Sequence, residues 1–131
     1  MPIIRVENYP NGWTLNPVPD ETEEARQGKQ RKWKSELAYA LRNACVAAEV
    51  LGIDKPDDVT VVFGGEQVVE SDRKLVIFIE GLFDKPERTK EVRDRLAERL
   101  GKATREPLPL GWHAEVLVKR FNTEKDSFWA G

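Results

Sequence analysis

Residues 75–101 read LVIFIEGLFDKPERTKEVRDRLAERLG, an apolar run that passes into a helical pattern. Leu75-Val76-Ile77-Phe78-Ile79 is rich in β-branched and aromatic side chains, which suit the pleated surface of a buried strand. Asp84, Pro86 and Glu87 then form a helix-start signal, with Asp84 as the expected N-cap. Val92, Leu96 and Leu100 carry the core stripe, and Gly101 is the expected helix stop. After a Pro-containing connection, Ala114, Val116, Leu117 and Val118 predict another strand.

The first half has the same order. Ile3, Ile4 and Val6 predict a strand opening at Pro2. Trp33, Leu37, Leu41, Ala44, Cys45, Ala48 and Leu51 recur at spacings of three and four, the stripe of an amphipathic helix closed by Gly52. Val59–Phe63 is then a strand apolar on both faces. The two halves echo one another, LGIDKPDDVTVV at 51–62 beside LGKATREPLPLGWHAEVLV at 100–118. The expectation is an α+β fold: two β-α-β units forming a four-stranded sheet with two helices on one face. Strands within a unit should run parallel, because right-handed crossovers are nearly obligatory. The other face has no helix, so it should be covered by further copies of the chain. One domain over 1–131 is expected, with a long loop insertion at about 9–31 that is polar and holds Pro10, Pro17 and Pro19.

Composition narrows the function classes. The chain has 131 residues, 34% of them charged, with 21 basic against 23 acidic side chains and a net charge of −2. So balanced a chain has no overall field to hold nucleic acid or an anionic membrane. No apolar run approaches the roughly 20 residues of a membrane span. With one Cys (Cys45) and one His (His113), it lacks the ligands of a structural zinc site. No metal or cofactor is expected. No basic-then-apolar leader is readable, so the expected location is cytoplasmic.

Pro2 is the residue with the most chemical promise. Removal of Met1 would leave it as a secondary amine on a rigid ring, and a terminal amine ordinarily titrates at about pH 7.7–8.0. Such a group can move protons to and from carbon, whereas with Met1 retained the nitrogen is an amide and cannot act as a base. Cys45, on the core stripe, reads as an inert buried thiol, and His113 as a packing or turn residue.

A Pro after Met at the head of the first strand, on a duplicated β-α-β unit, resembles the tautomerase superfamily. DKPDDVTVVFGG (54–65) is similar to its migration-inhibitory-factor branch. IFIEGLFDKPERTKEVRDRLAERL (77–100) resembles both that branch and the cis-3-chloroacrylic acid dehalogenase branch, and EKDSFW (124–129) resembles the tails of long members. The resemblance implies that Pro2 is the catalytic acid/base, that Lys55, Lys85, Arg88 and Lys119 hold a small-molecule carboxylate substrate, and that the assembly is a trimer. Glu80 stands where the migration-factor branch has an aliphatic pocket residue, and the dehalogenase's water-activating histidine has no match. The implied reaction is proton transfer on a keto–enol or unsaturated acid, with dehalogenation or decarboxylation as variants. The alternative is a non-catalytic, ferredoxin-like oligomer for binding or assembly that keeps Met1.

Overall fold

A computed structural model describes residues 2–11, 14, 15, 17–65, 73–122 and 125; Met1 and most of the EKDSFW tail lie outside these. The elements are β1 (Ile3–Glu7), α1 (Glu23–Ala47), β2 (Thr60–Phe63), β3 (Lys74–Phe83), α2 (Lys90–Ala103) and β4 (His113–Phe121), with a 3₁₀ turn at Pro56–Asp58 before β2. The sheet order is β2-β1-β3-β4. β1 pairs parallel with β2 and β3 parallel with β4, while β1 and β3 meet antiparallel at the centre. This is the expected α+β fold.

Alternation along the strands separates two faces. Ile4 and Val6 of β1, with Leu75, Ile77, Ile79 and Leu82 of β3, point into a core closed by Leu37, Leu41, Cys45, Leu96 and Leu100 of the helices. Each fully buried Leu or Ile contributes about 1.5–3 kcal/mol relative to exposure. The opposite face carries Ile3, Val62 and Leu117, which remain exposed at 40%, 45% and 42%.

The helices are set by their caps and stripes. Thr22 Oγ1 accepts the Ala25 N–H at 3.1 Å, and Glu23 and Glu24 sit favourably in the positive first turn of α1. Trp33, Leu37, Leu41 and Cys45, four apart, form its buried edge. α1 starts at Glu23, so the latter part of the 9–31 segment is helical. What remains of it is fastened down. Tyr9 is buried and donates its hydroxyl to Gly64 O at 3.1 Å. Its ring packs edge-on against Phe63, and Trp33 Nε1 donates to Pro107 O at 2.8 Å.

Three predicted boundaries need correction. α1 ends at Ala47, because Glu49 adopts a left-handed φ of 56° and turns the chain before Gly52 is reached. α2 begins after Thr89, whose Oγ1 accepts from Val92 N at 3.3 Å, and Asp84 is not its cap. Asp84 N instead donates to Phe121 O at 2.7 Å, which carries β3 onward to Phe83. Gly101 lies inside α2; Thr104 caps the end, its Oγ1 donating to Gly101 O at 2.7 Å. No described helix is long and apolar enough to cross a membrane.

Gly52 holds φ at 88°, and a Cβ there would meet Arg88 Nη2 at 2.8 Å. Gly52→Ala should therefore lower stability by about 1–2 kcal/mol, the cost of a left-handed L-residue, with a further loss if Arg88 is displaced. Urea unfolding monitored by Trp fluorescence measures it; an unchanged midpoint contradicts the assignment.

Candidate active site

The strand directions bring the predicted site residues to one end of the sheet. Ile3 pairs with Thr60 on one side and with Glu80 on the other. Pro2 is buried one residue before Ile3, and its carbonyl accepts the Thr60 N–H at 3.3 Å. The chain reaches β2 through Lys55 and the 3₁₀ turn. It leaves β3 through Asp84, Lys85 and Arg88, and β4 carries Lys119 at the same level. Lys55, Lys85, Arg88 and Lys119 thus share Pro2's end of the sheet.

They differ in what they do there. Lys119 faces a surface hollow of about 390 Å³, lined also by Ile3, Glu80, Gly81, Arg120 and Phe121. Lys55 is exposed at the head of the 3₁₀ turn, its N–H donating to Asp58 Oδ2 at 3.1 Å. The bond from Asp54 N and that from Lys55 N hold the Asp58 carboxyl below its ordinary pKa. Lys85 is exposed in the turn after β3 and does not line the hollow.

Arg88 is turned inward. It is 7% exposed, and its guanidinium donates to Leu51 O from Nε at 3.1 Å and Nη2 at 2.6 Å, and to Phe83 O from Nη1 at 2.8 Å. Burial lowers its pKa, with Glu87 opposing, yet a guanidinium stays charged in proteins. A buried charge satisfied by two main-chain carbonyls ties the turn after α1 to the turn before α2. That bond set positions Lys85; it leaves Arg88 little freedom to reach a ligand.

A β-bulge shapes the hollow. Ile79 pairs with Val118 and Leu82 with Arg120, so Glu80 and Gly81 together oppose Lys119. Gly81 takes a φ of 73°, open to glycine without strain. The extra residue restores Leu82 to the core and leaves Glu80 on the outer face, and bulges commonly re-aim side chains next to active sites. Glu80 Oε1 accepts from Arg5 Nη2, and this contact raises the Arg5 pKa by hydrogen bonding and by Coulomb attraction. Arg5 carries no sequence motif; only the strand register reveals it.

The remaining candidates lie elsewhere. His113 starts β4 at the opposite end of the sheet, paired with Lys74. Cys45 is buried, and desolvation pushes its thiol up to about 12, as suits a protonated core group. Larger concavities of about 700 and 560 Å³ flank Leu108–Leu110, far along the strands from Pro2. No group of three or more His, Cys, Asp or Glu among the described residues could hold a metal ion.

Structural comparison finds the same architecture in fused 4-OT, described as an asymmetric trimer: TM-score 0.59, 16% identity, covering 98% of this chain and 92% of the other. The chain has the tautomerase-superfamily fold. A malonate semialdehyde decarboxylase, described with decarboxylase and hydratase activities, matches at TM-score 0.55 and 12% identity over 98% and 92%. Another, inhibited by 3-bromopropiolate, gives 0.53 and 14% over 98% and 90%. No protein-family model matches the sequence, and neither does any curated protein.

Arg88→Ala should cost about 2–3 kcal/mol, because it leaves two carbonyls without a charged donor. Lys119→Ala should stay within about 0.5 kcal/mol of wild type, as an exposed substitution. Thermal unfolding separates them; equal effects would contradict the division of roles.

Proposed function

We propose that this chain is a tautomerase-superfamily enzyme in which Pro2, freed by removal of Met1, carries a proton to and from a small carboxylate substrate of the keto–enol or unsaturated class. The observation that carries the reading is the register of β1 with β3, which brings Pro2, one residue before Ile3, to the end of the sheet where Ile3, Glu80 and Lys119 line one hollow. The Pro2 ring is buried at the strand's head, and burial disfavours a charged amine, moving it toward the free base at neutral pH. Lys119 supplies positive charge where a carboxylate or a developing enolate would sit. Ile3 and Phe121 give the hollow apolar walls. Lys55 and Lys85 stand at the same end of the sheet but outside the hollow's lining, and are the further cations for the substrate; Arg88 serves by holding the turn that carries Lys85.

The chemistry follows from these positions. Pro2 nitrogen takes the enol proton or an α-proton, negative charge gathers on the oxygen, and the cations offset it. The protonated amine then returns the proton to carbon. Decarboxylation needs only that last step after carbon dioxide departs, with Pro2 as acid. Activities described for the malonate semialdehyde decarboxylase neighbours make that variant the second substrate class to try.

We also propose a homotrimer. The uncovered sheet face carries exposed Ile3, Val62 and Leu117, and its charges cancel within the face: Arg5 with Glu80, and Lys74 with Glu115 at 3.0 Å. Paired charges cost less to bury against another copy than unpaired ones, and the apolar residues between them favour it. The trimeric neighbour supports that choice.

Phenylenolpyruvate ketonisation tests the base. Pro2→Ala should cut kcat/KM by at least about 100-fold, the usual worth of a general base. An active wild type unaffected by the change would remove Pro2 from the mechanism. Sedimentation equilibrium at micromolar protein should return three times the monomer mass; a monomer contradicts the assembly.

A further inference from the structure

We infer that the Arg5–Glu80 ion pair governs the protonation of the Pro2 nitrogen. The inference rests on the proposed role of Pro2 and adds its control. Glu80 lies directly across the strands from Ile3, the residue after Pro2, and its side chain lines the hollow. Alternation after the inward Ile79 puts that carboxylate on the outer face, where Arg5, two residues beyond Ile3, reaches diagonally to it. A bare carboxylate here would favour the ammonium form of Pro2 and so block a base. Arg5 offsets it.

The other charges at this end leave that balance as the controlling one. On β1, Glu7 also attracts Arg5. On β4, Lys119 has no ion pair among the described residues, and Arg120 faces Asp84 at 3.8 Å. Across the 3₁₀ turn, Lys55 stands among Asp54, Asp57 and Asp58, and the turn after β3 holds Lys85 and Glu87 with the inward Arg88. Lys55, Lys85, Glu87 and Arg88 belong to the connecting turns, and Lys119 and Arg120 to β4, one strand farther from Pro2, whereas Arg5 and Glu80 stand on the neighbouring strands β1 and β3.

Removing the two charges one at a time should therefore move Pro2 in opposite directions. In Glu80→Gln, Arg5 remains without its counter-charge and the amine's midpoint falls by about one pH unit. In Arg5→Gln, the uncompensated carboxylate raises it by a similar amount. The double variant returns it to the wild-type value, and Arg5→Lys, which keeps the charge, leaves it in place. Nitrogen NMR titration of protein carrying isotopically labelled proline reads the midpoint without any substrate, with circular dichroism as the check on folding. A titrating Pro2 whose midpoint ignores both single variants, or shifts the same way in both, overturns the inference and spares the base. A Pro2 nitrogen with the shift of an amide at every pH overturns both.

Discussion

The antiparallel pairing of β1 with β3 is the constraint on which the site depends. Each β-α-β unit is parallel inside, and among the described strands the antiparallel seam of β1 with β3 joins the halves and sets Ile3 against Glu80. Without that register, the head of β1 and the far end of β3 would not meet. With it, Pro2, Glu80 and Lys119 gather at one end of three neighbouring strands. The hydrogen bonds of the seam are non-local, and their cost in chain entropy is met by the apolar residues they bury on the helix side. The core and the hollow thus draw on the same strands but on opposite faces.

Much of this was legible in the sequence. The spacing of Trp33, Leu37, Leu41 and Cys45 and the β-branched run at Leu75–Ile79 follow directly from helix and strand periodicity, and the two similar halves supply the topology. Ends were harder to read. Asp84 with Pro86 has the chemistry of a helix start, yet the main-chain bond from Asp84 to Phe121 extends the strand instead, and that partner is distant in sequence. Gly101 resembles a stop, but α2 continues past it to a threonine that caps it.

At the site, the sequence could nominate cations without saying where they point. Arg88 and Lys85 stand three apart in the same turn; one serves two buried carbonyls, and the other faces solvent. The difference arises from the carbonyls of Leu51 and Phe83, which accept from Arg88 and become its neighbours only after folding. Arg5 and Glu80 lie 75 residues apart in the chain. Glu80 could be singled out as an unusual acid, but its partner could not be found without the strand register and the bulge.

The proposed chemistry turns on whether the ring nitrogen next to Ile3 is an amine. Intact mass spectrometry of protein made by its own host answers this most directly. The account predicts a mass short by one methionine residue. A full-length mass would leave the fold standing and end the case for Pro2 as an acid or base.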